Sequence, residues 1–298
     1  MDMKKKLTAV LIGLPVASAS VFAGELNSFT HEYKINDYNL GTQKDEWTLG
    51  RGSYKLNDKL TFIFDVDKDF VSKSDGTETQ GWDTQFGLTN DISQIGGFDV
   101  SLSYLIRYDA SWNADDGSEY SDTKQYIFTP WLSKDVTIAG KEFSLGIELW
   151  AQVGNYDDSS LEDISGIENN YYLDGSLSDN WTLNLAWYNF NYYDGAEDEY
   201  DYQIGTENYL TYSKELNENF TFSIENYFEA YYTPDSKDSS LYAHIAPEIR
   251  YSKKINETIS WHAAVSYDVV KFSSSNDSDG YTDSWNNNEL EITFGIKM

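Results

Sequence analysis

Three histidines, His31, His244 and His262, are the only imidazoles in a chain of 298 residues that contains no cysteine. Nucleophilic chemistry would therefore have to run through a Ser-His or Asp-His arrangement. Ser239 and Ser240 lie near His244 in the chain, but no nucleophile-elbow motif surrounds any serine. The missing cysteines also exclude a disulfide scaffold, a thiolate metal site and a cysteine nucleophile. One stretch approaches a cation-binding loop, Asn276-Asp277-Ser278-Asp279-Gly280. It has Ser275 where the first ligand is needed and Asn286 where the closing Glu belongs, so it reads as a flexible acidic loop. These residues predict no enzyme, no cofactor and no metal centre.

What the chain holds in quantity is carboxylate: 50 Asp and Glu against 21 Lys and Arg, a formal charge of −29. Phosphate contacts need clustered basic residues, so nucleic-acid binding is excluded. A charge this negative normally marks a chain that does not fold. The 24 Tyr, 15 Phe and 9 Trp argue the reverse, because unfolded acidic chains are poor in rings. With a mean hydropathy of −0.57, apolar and polar residues must be interleaved rather than gathered in blocks.

The interleaving has a period of two. Phe98, Val100, Leu102, Tyr104, Ile106 and Tyr108 share one face, while Asp99, Ser101, Ser103, Leu105 and Arg107 share the other. That is a β-strand with one apolar and one polar side. The pattern returns at Leu60–Val66, Phe143–Val153, Trp181–Trp187, Phe220–Phe228, Leu241–Tyr251, Ile259–Val269 and Leu290–Met298. Weaker partners fall at 29–38, 46–55, 81–88, 124–132, 168–177 and 202–212. The total is about fourteen strands. The faint segments 46–55 and 124–132 leave twelve or sixteen open. No apolar run is long enough for a transmembrane helix.

The amino terminus reads as an export signal. Lys4-Lys5-Lys6 precedes the apolar run Leu7 to Val16 and the small-residue site Val21-Phe22-Ala23, which predicts cleavage after Ala23. The chain then divides into a signal peptide, 1–23, and a mature domain, 24–298. The mature domain keeps 49 acidic and 18 basic residues, a charge of −31. An exported, cysteine-free chain points to the envelope of a Gram-negative bacterium.

Connections alternate in kind. One set is short and self-similar: Lys55 to Phe62, Leu177 to Leu183, Ser213 to Phe222 and Ser252 to Trp261, each with Asn or Asp for the turn. The other set is longer and polar: Ser72 to Gln80, Asp109 to Asp122, Tyr156 to Ser165, Asp194 to Asp201, Thr233 to Ser239 and Ser273 to Ser284. Short turns at one end and long loops at the other predict an all-β fold, a transmembrane up-and-down antiparallel β-barrel. The apolar face then meets lipid, closure removes unpaired edges, and the charged face lines a water-filled lumen. Trp47, Trp82, Tyr108, Trp181, Tyr212, Tyr232, Tyr251 and Trp261 are candidates for the interfacial girdles.

Positions opposite the apolar stripe are the expected pore lining: Asp65, Asp99, Arg107, Asp109, Glu148, Glu207, Glu225, Glu229, Glu248, Arg250, His262, Asp268, Glu289 and Glu291. Asp67, Asp83, Asp174 and His244 share that phase, whereas Arg51 falls where the phase is undetermined. Tyr188, Tyr227, Tyr231 and Trp150 also point inward and are candidates to stack on sugar faces. Carboxylates in excess concentrate cations and repel anions, which predicts a weakly cation-preferring diffusion pore for ions and small hydrophilic solutes. A transverse field is expected if Arg107 and Arg250 face Glu248 or Glu225 across the lumen. Asp109–Asp122 and Ser273–Ser284 are the candidates for a loop folded inward. The alternative function is a surface adhesin or receptor acting through its long acidic loops.

A signal peptide, about fourteen alternating strands and no cysteine together resemble the monomeric bacterial porins, at the size of the fourteen-stranded outer-membrane porin G class. That resemblance implies a monomeric channel, open to sugars, held in outer-membrane lipid and lipopolysaccharide and inserted by the barrel-assembly machinery. The final strand ends in Met298 where such barrels usually end in Phe or Trp. Locally, His31-Glu32-Tyr33 resembles the start of oligogalacturonate-specific channels. Channels for anionic sugars are expected to be rich in inward Arg and Lys, and this chain has only Arg51, Arg107 and Arg250 as arginines.

Overall fold

The structure, a computed structural model, describes residues 25–38, 42–72, 78–113, 119–156, 164–194, 199–234, 236–277, 280–285 and 289–298. The expected signal peptide, and Ser278 and Asp279 of the acidic stretch 276–280, lie outside them. The described chain is all strand and turn, without a helix. Eleven strands follow one another around the wall: β1 (Glu25–Tyr38), β2 (Thr42–Lys55), β3 (Leu60–Ser72), β4 (Glu78–Ile95), β5 (Phe98–Asn113), β6 (Glu119–Ile138), β7 (Lys141–Tyr156), β8 (Ile164–Ser178), β9 (Trp181–Asp194), β10 (Glu199–Glu215) and β11 (Phe220–Thr233). They continue through β12 (Asp238–Lys254), β13 (Ser260–Tyr267), β14 (Val270–Asp277), β15 (Gly280–Trp285) and β16 (Glu289–Lys297).

Sixteen segments make fourteen staves. Both β13 and β14 pair with β12, at Glu248–Lys254 and at Ser239–Ile245, so they are two halves of one interrupted strand. The pair β15 and β16 forms the next stave in the same way, along β14 and β13. Every neighbouring pair is antiparallel, and β16 returns to β1 to close the ring. Closure leaves no sheet edge, as a wall immersed in lipid requires.

The turns explain the short connections. In three of them an asparagine carbonyl caps the turn: Asn57 accepts from the Lys59 and Leu60 amides at 2.9 and 3.0 Å, and Asn217 from Asn219 and Phe220 at 3.0 and 3.1 Å. Asn256 does the same for Thr258 and Ile259. Two others are two-residue turns with both residues at positive φ, Gly96-Gly97 (62° and 81°) and Ala139-Gly140 (52° and 78°). That geometry matches the twist of the flanking strands.

The expected long loops are shorter than the sequence pattern indicates. The ladder between β5 and β6 continues through Asp109↔Thr123 as far as Trp112↔Glu119, and Phe272–Asp277 pairs with Gly280–Trp285. Neither segment turns into the lumen within the described residues. Once a hairpin rises above an apolar belt both its faces meet water, so pairing persists after apolar alternation has stopped.

The two faces are told apart by crowding. Side chains on the concave face of a closed barrel converge, and buried Leu105, Ile127, Asn36, Thr129, Asn170, His262, Asp268 and Thr293 all share one face in register. The opposite face leaves Phe86, Tyr104, Ile106, Val153, Trp187 and Phe294 exposed. The expected alternation therefore holds on the strong strands. At the short-turn end the outer face carries an arc of rings, with Trp181–Tyr212 at 5.2 Å, Phe220–Tyr251 at 4.9 Å and Tyr251–Trp261 at 5.0 Å. Toward the other end Lys68 sits over Phe70 and Trp82, each at 4.9 Å.

The outer face is not uniformly apolar. Asn189, Asn208, Asn226 and Thr206 stand on it, on β9 to β11. They are satisfied locally: Asn226 donates to the Leu210 carbonyl at 2.8 Å, Thr206 to the Ala186 carbonyl at 2.8 Å, and Asn208 to Thr206 at 2.9 Å. Hydrogen bonds back to the strand remove most of the cost of placing an amide beside apolar neighbours.

Candidate functional site

The inward face is the candidate site, and it divides into two walls. The first is built by β1–β5 and β12–β16. Arg107 on β5 donates to Asp83 on β4 at 2.8 Å and forms an ion pair with Asp109 on its own strand at 3.1 Å. Arg51 bridges Asp65 at 2.6 Å and Asp67 at 2.9 Å. Lys44 reaches Asp69 at 3.4 Å. Arg250 turns back onto Glu248, two residues earlier, with bonds of 3.0 and 3.1 Å.

Where the first and last staves meet, a second group of charges forms. Buried His262 on β13 contacts Glu32 on β1 at 2.7 Å, and Lys34 lies 3.9 Å from Glu291 on β16. Lys271 on β14 binds Glu289 at 2.9 Å and lies 3.7 Å from Asp268. Asp268 occupies the break between β13 and β14, its amide bonded to the Glu289 carbonyl.

The second wall is built by β6–β11, and its chemistry differs. These strands contain no arginine, and their lysines, Lys124, Lys134, Lys141 and Lys214, all stand on the outward phase. Its carboxylates are held by neutral donors instead. Glu207 accepts from Tyr231 at 2.6 Å and from Tyr188 at 3.2 Å. Glu148 accepts from Tyr172 at 2.7 Å and from Asn170 at 3.3 Å. Tyr227 donates to Glu229, and Glu225 meets His244 of β12 at 3.2 Å. The register lays these groups out in rows across the wall: Trp131, Glu148, Asn170, Tyr188, Gly205 and Tyr231 in one, with Glu207, Glu229 and Tyr242 in the next.

All fourteen expected lining residues stand on the inward phase, but they do not make one constellation. Asp99 lies apart at the short-turn end, bonded to Gln94 at 2.9 Å. Arg107 and Arg250 do not face Glu248 or Glu225 across the lumen: each is engaged along the wall, because a carboxylate two residues away or on the next strand is nearer than anything opposite. The alternation missed Arg51, Lys34, Lys44 and Lys271 as inward cations. Two of these lie next to irregularities. A register shift between Thr48 and Gly50 fixes Arg51 inward. Another at Asp268-Val269 puts Val270 outward against Ile245 and turns Lys271 inward. The Val269-Val270 doublet was the available signal.

His31-Glu32-Tyr33 splits between the faces. Glu32 joins the inner charge group, while His31 and Tyr33 pack on Trp47 outside, with ring centroids 6.2 and 6.5 Å away. Among the described residues no group of three or more His, Asp or Glu side chains is placed to hold a metal ion. An apolar concavity of about 1010 Å³, lined by Phe62, Phe86, Leu88, Tyr104, Tyr126 and Val153, lies on the outer surface and is not part of the lumen.

No family model and no curated protein matches the chain. Solved structures do. CdiB from Acinetobacter baumannii matches over 91% of this chain with a TM-score of 0.50 and 11% identity, and the match spans 60% of that longer protein. An outer-membrane channel from Pseudomonas putida F1 is 10% identical with a TM-score of 0.47, covering 93% of this chain and 96% of that one. An anion-selective porin from Comamonas acidovorans is 8% identical with a TM-score of 0.43, covering 92% and 99%. The likeness to CdiB is one of fold, a closed antiparallel β-barrel of the outer-membrane kind.

Proposed function

We propose that this chain is a bacterial outer-membrane channel, a non-enzymatic pore that lets ions and small hydrophilic solutes, sugars among them, diffuse through a water-filled lumen with a weak preference for cations. The observation that carries this reading is the inward face. Carboxylates outnumber cations there, and on β6–β11 no lysine or arginine offsets them. A protein interior could not hold such a face, since buried charge without a partner is prohibitively costly. Water in the lumen makes it tolerable, and the fixed negative charge then raises the local cation concentration.

The export signal ending at Ala23, contact with lipid and lipopolysaccharide, insertion by the barrel-assembly machinery and a monomeric state belong to the same reading. The outward aromatic arcs and the closed ring support it. The test is the refolded barrel in a planar bilayer under a potassium chloride gradient. A stepwise conductance with a reversal potential on the potassium side is expected. A closed barrel, or one that prefers chloride, would overturn the proposal.

A further inference from the structure

The β6–β11 wall has a feature that general cation selectivity does not require: its carboxylates take the hydroxyl protons of the tyrosines beside them. The hydroxyl protons of Tyr188 and Tyr231 are committed to Glu207, that of Tyr172 to Glu148 and that of Tyr227 to Glu229. Around these four rings a passing solute meets carboxylate and phenol oxygen, each with lone pairs to spare. Asn170 adds an acceptor of a different kind. It is 2% exposed, its amide nitrogen donates to Glu148 and Glu168 at 3.3 Å each, and its carbonyl oxygen has no partner. The amide cannot be reversed, because its oxygen would then face two carboxylates. A buried acceptor in this position is incomplete without a donor.

The rings between these acceptors are held along the wall. A Cβ on Gly205 would collide with the ring of Tyr231, and a Cβ on Gly146 would stand 2.7 Å from the ring of Trp131. Glycine at these two inward positions gives each ring room to lie against the backbone instead of projecting across the lumen. Phe190 continues the surface, 5.6 Å from Tyr188 and 6.0 Å from Tyr231 by ring centroids.

We propose that this wall, centred on Glu148, Asn170, Glu207, Glu229, Trp131 and Tyr231, is a binding track for amine-bearing sugars. Such a solute donates from hydroxyls and from a protonated amine, and it has an apolar ring face to set on an aromatic platform. Ammonium groups are also attracted to aromatic faces. An acidic sugar meets repulsion on this wall, and a neutral sugar leaves its charge unused. The wall of β1–β5 and β12–β16 also holds an unpartnered amide oxygen, that of Asn36, but there Asp65, Asp83, Asp109, Glu248 and Glu289 already hold lysine or arginine.

The inference rests on the open, cation-preferring channel proposed above, so potassium-over-chloride preference of the wild-type protein is measured first. Its absence removes that reading together with this one. With it in hand, ion-current block is titrated with a glucosamine hexamer, its fully N-acetylated counterpart and a linear tetra-amine. The glucosamine hexamer is expected to block at concentrations about tenfold below either control, since only it combines charge with ring faces. The Glu207→Gln, Glu229→Gln double variant should erase that difference while the wild type retains it. If that barrel fails to refold, by loss of its heat-modifiable band, Tyr231→Leu provides the same comparison through the platform. Equal block by the acetylated hexamer or by the tetra-amine, or block that the variants leave unchanged, would overturn the track and leave the channel standing.

Discussion

The two inner walls carry the same kind of charged residue and treat it in opposite ways. On β1–β5 and β12–β16, Asp65, Asp83, Asp109, Glu248 and Glu289 each lie within 3.1 Å of a lysine or arginine. On β6–β11, Glu148, Glu207 and Glu229 are held by tyrosine. A salt bridge cancels a field, whereas a hydrogen bond from a neutral phenol fixes a carboxylate in place and leaves its charge. The carboxylates of β6–β11 therefore keep their full charge, whereas on the other wall each of Arg51, Arg107 and Lys271 is shared by two acids and offsets part of theirs. On the channel reading proposed above, selectivity depends on the arrangement of the acids as well as on their number.

Charge reversal tests this most strongly. Glu207→Lys with Glu229→Lys should move the reversal potential by tens of millivolts toward chloride, since two fixed charges change sign on a wall whose strands place no lysine or arginine inward. Removing the Glu248–Arg250 pair together on the other wall, as Glu248→Gln with Arg250→Gln, should move it far less, because the net fixed charge does not change. Equal shifts from the two pairs would erase the distinction between the walls.

Gly205→Ala is the next largest effect. The new methyl enters space held by the Tyr231 ring, so the ring must lift from the wall. Overpacking of this kind costs about 1–3 kcal/mol. The expected result is a lower midpoint for urea unfolding in detergent, together with reduced single-channel conductance. A stability loss at unchanged conductance would show that the ring does not lie over the permeation path.

Much of this division was legible in the sequence, and the limit has a physical cause. A lipid face and a water face impose period two on each stave separately, so Phe98–Tyr108 or Phe143–Val153 reveals its inward residues without reference to any neighbour. The fourteen-stave count follows from the same local signal. Pairing is different. Whether Asp83 meets Arg107, or Tyr231 meets Glu207, depends on register between strands, which no single strand encodes. One-residue irregularities add a second obstacle: at Thr48–Gly50 and at Asp268-Val269 the phase slips, and Arg51 and Lys271 moved out of view. The acid excess could be read directly, while the split into a salt-bridged and a tyrosine-held wall required the ladder.

Arg107→Ala breaks the comparison from the ion-paired side. The arginine and both its aspartates are partly open to water, so the loss of stability should be small, about 1 kcal/mol or less by urea unfolding. Selectivity should respond more clearly. Asp83 and Asp109 would become uncompensated, the ion-paired wall would acquire the character of the other, and preference for potassium should rise. An unchanged reversal potential would mean that these aspartates do not reach the ion path.

Asn217→Ala supplies the reference for all of these. Its carbonyl oxygen serves two backbone amides in an exposed turn, and their loss to water costs about 0.5–1 kcal/mol. The turn joins β10 to β11 at the short-turn end and contributes no side chain to the Glu148–Glu207–Glu229 group. Unfolding should shift by that amount while conductance, selectivity and sugar block stay at wild-type values. Should Asn217→Ala alter selectivity as well, small global loosening would suffice to change the potential in the lumen. The shifts from Arg107→Ala and Gly205→Ala would then report on barrel stability rather than on which wall carries the charge.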